Sequence, residues 1–305
     1  MQRGQLSKQH SNPVMKPGTY LLSSVGFSRS EKPLLTLQSG TNLHNFEPVG
    51  QTFSIEIDSA KQYCTGWHDL ETGENFACPD TATLDEKYQQ CPACQKKTGF
   101  NPAFYNAASV SPQQEKRNQE PHILYLAHFG ADVVKVGISY TGRGRARLLE
   151  QGARSAIILE TFPSAHIARQ YEARIAALPG VAETVQLRKK IDLAKQPYDP
   201  TEGTRQLKAT HAMISEKLGT HFSGTEPHAF HEIYFPNGEF ATDAIDISDQ
   251  KMISGTCIGM MGGLLYMNYE DTFVFLPIKK FIGNVITILD RPLSLSLPSQ
   301  QISLF

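Results

Sequence analysis

The chain has 305 residues, 40% of them hydrophobic and 19% charged, which fits a globular protein of two or three domains and excludes wholesale disorder. Twenty-nine lysines and arginines against 30 acidic residues give a net charge of −1, excluding a histone-like polycation while allowing a local basic groove. The best apolar stretch, Ile258 to Met267, falls well short of the ~20 residues of a membrane span, and the polar start Met1 to Lys8 has no secretory apolar segment, so a cytoplasmic location is expected.

Residues 1–60 carry short apolar or β-branched runs, Tyr20-Leu-Leu, Leu34 to Leu37 and Thr52 to Ile57, separated by turn formers, and read as an N-terminal β unit. Residues 61–105 hold four of the five cysteines: Cys64, Cys78, Cys91 and Cys94. A Cys-x2-Cys pair offers two thiolates from one tight turn, which suits two corners of a tetrahedral zinc site. Cys64 and Cys78 complete the set, with His68 as a competing ligand. Four thiolates leave no open position for water, so the expected zinc is structural rather than catalytic. Cys257 lies in an apolar, strand-like run and reads as a small buried hydrophobe.

The polar stretch 106–121 reads as a linker or long surface loop. A central domain is expected over 121–200. His122 to Phe129 and Asp132 to Ser139 read as strands joined by a tight Gly-Ala turn, and Gly142 to Gln151 as a helix ended by Gly152. Ser155 to Phe162 reads as a third strand, and 165–178 as a helix capped by Ser164 with Ile167, Tyr171, Ile175 and Leu178 on one face. Helical stretches follow around 182–195 and 203–219, with 201–231 as a connecting segment. His228 and His231 flank a turn and read as surface histidines. In 232–305 five short strands, beginning with Glu232 to Phe235, suggest a small β-barrel or sandwich, with Lys279, Lys280, Tyr266 and Tyr269 as candidate nucleic-acid contacts. The expected class is α+β and multidomain: a central α+β unit, a four-cysteine zinc module and a C-terminal β domain.

From Val133 to Arg154 the cations are Lys135, Arg143, Arg145, Arg147 and Arg154, against the single acid Glu150, a local charge of +4 in a neutral protein. An anionic partner such as phosphate explains that excess. A solvated helix face with an Arg147–Glu150 pair explains it equally well.

Ile123-Leu-Tyr125, nine residues, Lys135-Val-Gly137, an arginine-bearing helix and a later helical glutamate together resemble the GIY-YIG nuclease superfamily, in its phage-type Lys-Val-Gly variant. The string Lys135-Val-Gly-Ile-Ser with Arg147 to Ala153 and four upstream cysteines also resembles an uncharacterised prokaryotic family of unknown function. The nuclease resemblance covers about 122–180. It implies that Tyr125 positions or deprotonates the attacking water, that Arg147 holds the scissile phosphate, and that Glu172 binds one catalytic magnesium or manganese. Lys135 stands where a second tyrosine is usual, and an ammonium there would favour phenolate. Arg143, Arg145 and Arg154 would contact the nucleic-acid backbone.

The expected function is therefore a metal-dependent endonuclease acting on nucleic acid, DNA in the first place. Two alternatives stay open: a zinc-containing nucleic-acid-binding protein that does not cut, since the first motif lacks its glycine and the second its tyrosine, and a zinc-stapled protein-interaction module. Each residue has a simpler role too, Tyr125 as plain core and Glu172 as the i,i+3 partner of Arg169. Geometry supplies one check. Tyr125 and Lys135 share a sheet face only if Tyr125 pairs with Gly137 across a three-residue loop, Gly130-Ala131-Asp132.

Overall fold

The computed structural model describes residues 15–85, 89–100, 110–238 and 242–297. The polar start, the first part of the 106–121 stretch and part of the cysteine segment lie outside these residues. The chain opens with β1 (Gly18–Phe27), β2 (Pro33–Ser39), β3 (Asn42–Phe46) and β4 (Thr52–Asp58). A cysteine-bearing segment follows, with four two-residue strands, β5 (Gln62–Tyr63), β6 (Trp67–His68), β7 (Asn75–Phe76) and β8 (Thr83–Leu84), and the helix α1 (Pro92–Thr98). Part of the expected linker is helical: α2 (Pro112–Asn118) starts on Ser111, whose side chain accepts from the Gln114 N–H.

The central unit then runs β9 (His122–His128), β10 (Val134–Tyr140), α3 (Ala146–Gln151), β11 (Ser155–Phe162), α4 (Ala165–Ala176), β12 (Val181–Ala182), α5 (Leu187–Ala194) and α6 (Pro200–Leu218). β13 (His228–Ala229) and α7 (His231–Tyr234) lead to the last strands. These are β14 (Ile245–Asp246), β15 (Met252–Met261), β16 (Leu264–Tyr269), β17 (Thr272–Leu276) and β18 (Val285–Leu289).

The central sheet has the order β12-β10-β9-β11-β13. Tyr125 pairs with Gly137 and His128 with Val134 across the three-residue loop, which puts Tyr125 and Lys135 on the same face. Every position of β9 is buried. On one face Leu124 and Leu126 pack with Ile175 of α4 and Leu207 and Ile214 of α6. On the other, Ile123, Tyr125 and Ala127 join Leu148 and Leu149 of α3 in a core shared with the terminal strands. Burial on both faces accounts for the near-continuous apolar run of β9, and each fully buried leucine contributes about 1.5–3 kcal/mol. The α3 helix is shorter than the expected 142–151; Thr141–Arg143 forms a 3-10 turn instead, and Gly152 ends the helix with φ 77°.

The terminal segments do not form separate domains. They interleave in one nine-stranded sheet of order β14-β17-β16-β15-β4-β18-β1-β2-β3. β4 lies between β15 and β18, with Ile55 opposite both Ile253 and Ile288. At the β4–β15 seam the hydroxyls of Ser54 and Ser254 meet at 2.8 Å. No barrel is closed among the described residues, which removes the barrel form of the expected C-terminal barrel or sandwich. Glu232 to Phe235 is not a strand: Tyr234 sits in α7 because its hydroxyl donates to the carbonyls of Ala153 (2.7 Å) and Leu149 (3.3 Å), and that buried anchorage overrides β propensity. The result is a mixed α+β protein with several sheets. Among the described residues no helix is long and apolar enough to cross a membrane.

Candidate functional site

The four cysteines form a compact centre. Cys64 and Cys78 lie on loops beside the short strands, Cys91 immediately precedes α1 and Cys94 lies within it. Their sulfurs all lie within 4.8 Å of one another, and all four residues are buried. Tetrahedral thiolates around a zinc ion, at ~2.3 Å from it, are about 3.8 Å apart, so this donor set can hold a metal ion such as zinc. The Cys91 N–H points at the Cys64 sulfur (3.1 Å), a contact that favours thiolate. His68 is not part of the set; its Nδ1 lies 2.9 Å from Asn75 Oδ1. Among the described residues, Trp67, Ala82 and Leu84 are the partly buried hydrophobic side chains that pack against the cysteines.

The second cluster lies where β9, β10, α3 and α4 meet. Gly137 makes room for it: a Cβ at that position would stand 2.4 Å from the Tyr125 hydroxyl, so the glycine of the Lys-Val-Gly string lets the phenol lie across β10. The Tyr125 oxygen accepts from Gln151 Nε2 at 2.7 Å and faces the Arg147 guanidinium. Burial raises the phenol's pKa, Arg147 and Gln151 pull it back, and Glu172 pushes it up again. Tyr125 is only 1% exposed.

Lys135 lies within electrostatic reach of both Glu172 and Arg147; burial lowers its pKa, and Glu172 opposes that effect. Its ammonium donates to the Val136 carbonyl at 3.0 Å. Glu172, 5% exposed, forms an ion pair with Arg169, which also bonds Glu183 at 2.8 Å. Tyr125, Lys135, Arg147 and Glu172 thus come together, Arg169 joins as the i,i+3 partner of Glu172, and Gln151 is a member that no local signal marked.

The donor set around Glu172 does not fit a resident magnesium or manganese ion. Glu172 is already bonded to the Arg169 guanidinium, which Glu183 shares, and it faces Lys135. With Arg147 beside the Tyr125 phenol, three cations stand against two carboxylates. That surplus of positive charge suits an anion.

The other expected contacts are engaged elsewhere. Arg143 pairs with Glu150, and Arg145 makes two bonds to Glu31 in the turn between β1 and β2, at 2.6 and 2.7 Å. Arg154 is a correction: 5% exposed, it donates to the carbonyls of Leu193 (2.8 Å), Ala194 (3.2 Å) and Gln196 (3.3 Å), capping the end of α5 from within. Tyr266 is buried core, whereas Lys279 and Lys280 line a cavity between the two large sheets together with Lys190 of α5. No local signal marked Lys190, because its neighbours in space come from β10, α3 and the segment after β17.

One family match places these observations. A family described as "Protein of unknown function (DUF2797)" matches residues 106–286, more than half of the chain. No curated protein and no solved structure matches.

Proposed function

The chain belongs to this family, whose description carries no activity, and from the site itself we propose that it binds nucleic acid through backbone phosphate, on a GIY-YIG-like unit. The observation that carries this reading is the gathering of Lys135, Arg147 and Arg169 against two carboxylates, buried Glu172 and more exposed Glu183, a surplus of one positive charge in a protein whose net charge is −1. A guanidinium offers paired donors that match phosphate oxygens, and Arg147 keeps that capacity while Tyr125 and Gln151 hold its surroundings in place. The four-cysteine centre is read as a structural zinc site, supported by its donor set and by how few apolar side chains among the described residues pack against it.

A second reading, a metal-dependent endonuclease, is favoured by the convergence of Tyr125, Lys135, Arg147 and Glu172. Against it stand the sealed phenol and the Arg169–Glu172 pair. In that reading Glu172 would help hold the metal only once substrate phosphate supplied further oxygens and drew Arg169 away.

Labelled single-stranded DNA, duplex DNA and RNA titrated at several salt concentrations test both readings. Arg147→Ala is expected to weaken binding by about tenfold and to lower the salt slope by about one. Absence of salt-dependent binding to all three would refute the first reading. Cleavage that needs magnesium or manganese, stops with EDTA and disappears in Glu172→Ala would establish the second.

A further inference from the structure

Between the central unit and the nine-stranded sheet lies a cavity of about 260 Å³. One side comes from Phe129, Gln151, Leu187 and Ala194, the other from the β15–β16 turn, Met261 to Leu264. Lys190, Lys279 and Lys280 stand around it. We propose that this cavity binds a phosphomonoester dianion with part of its nucleoside: the phosphorylated end of a single strand, or a free nucleotide.

Charge is the first argument. Among the described residues none of the three lysines has a carboxylate within ion-pair distance. The one acid lining the cavity, Glu150, pairs with Arg143 and also lies within electrostatic reach of Lys279, so it offsets the cations only in part. Lys190 lies within electrostatic reach of Lys279, Lys135 and Arg147, so four cations from four different parts of the chain converge. Assembling like charges is unfavourable, and a bound dianion offsets that cost better than the monoanionic phosphodiester inside a strand.

Size and lining are the second. The volume lies just below the ~300–1,000 Å³ of usual small-molecule sites, enough for a phosphate and part of its nucleoside. A duplex does not fit between two packed sheets. Phe129, Leu187, Ala194, Met261 and Leu264 give the apolar surface that a sugar or base packs against, and Lys190 already stands over the Phe129 ring, 5.2 Å from its centre.

Continuity is the third. Gln151 both lines the cavity and donates to Tyr125, which places the proposed phosphate beside the Tyr125–Arg147 cluster. The strand-end form of the proposal rests on the nucleic-acid reading above; the free-nucleotide form does not.

The test uses the full chain and one fluorescent oligonucleotide sequence in three forms: 5′-phosphate, 3′-phosphate, and hydroxyl at both ends. A nucleoside monophosphate is titrated separately. A terminal phosphate is expected to tighten binding about tenfold, the scale of one charge-assisted hydrogen bond. The double variant Lys190→Gln, Lys279→Gln should abolish that preference, Lys190→Arg should keep it, and circular dichroism checks that each variant folds.

If no oligonucleotide binds but the monophosphate does, in a Lys190-dependent way, the nucleic-acid reading fails and the cavity proposal stands with free nucleotide as its ligand. If all three oligonucleotides bind equally and the monophosphate does not bind, the cavity proposal is overturned while the nucleic-acid reading survives. A phosphate preference that persists in a folded double variant overturns it as well, and binding of neither ligand class overturns both.

Discussion

Replacing Lys190 by methionine should stabilise the ligand-free protein. Burial, followed by Lys279, Lys135 and Arg147, brings the Lys190 ammonium from its ordinary 10.5 down to about 8. Every tenfold loss of proton affinity corresponds to ~1.36 kcal/mol, so the folded protein bears a penalty of at most roughly 3–4 kcal/mol for keeping this side chain charged. Residual solvent access reduces that figure. Loss of the cation–π contact with Phe129 removes another ~0.5–1 kcal/mol of native stabilisation, leaving an expected gain of about 1–2 kcal/mol at pH 7.

The sign follows from proton counts. Below pH 8 both folded and unfolded chains hold the proton, and the whole penalty is present. Between about 8 and 10.5 the unfolded chain binds more protons than the folded one, so native stability contributed by Lys190 rises with pH. Above that window the penalty is gone. Urea unfolding of both proteins at pH 7.5, 9 and 10 should therefore show Lys190→Met ahead at the lowest pH, with the advantage shrinking upward. Equal midpoints at pH 7.5, or a difference that does not change with pH, would refute the reasoning.

Arg154→Met should cost about 2–4 kcal/mol in urea unfolding, because carbonyls of Leu193, Ala194 and Gln196 lose a buried donor; unchanged stability would rule out the capping role. Gly262→Ala should cost about 1–3 kcal/mol, since the residue has φ 63° and its new Cβ would meet the Gly152 backbone nitrogen at 2.9 Å; a neutral thermal midpoint would show that the turn yields. Cys94→Ser should take bound zinc, measured by elemental analysis, from about one ion per chain to none, and should expose the cysteine segment to limited proteolysis. Retained metal would point to a different ligand set.

The central unit was legible because its signals are local. Apolar runs defined β9, β10 and β11, the Ser164 hydroxyl accepts from the Ile167 N–H at the start of α4, and Gly152 closes α3. The pairing of Tyr125 with Gly137 was not fixed in advance, because a tight Gly-Ala turn and a three-residue loop read alike from the residues and put Lys135 on opposite faces. The cysteine cluster was legible from spacing. The nine-stranded sheet was not, because nothing near Ile55 indicates that its neighbours are Ile253 and Ile288. The Arg154 role escaped for a related reason: a guanidinium reads as a phosphate ligand until the helix end it caps is known. The same limit hid the cavity, whose lysines belong to segments that meet only after the two sheets dock.

The seam between β4 and β15 also constrains the order of events at the ribosome. Ser54 and Ser254, in hydroxyl contact in the finished protein, are separated by 200 positions along the chain. At roughly 5–20 residues per second, translation leaves β4 waiting on the order of 10–40 s for this neighbour to emerge. For that interval an apolar strand edge stands unpaired on the nascent polypeptide, so production of this protein in a foreign host should respond strongly to temperature and to chaperones that shield such edges.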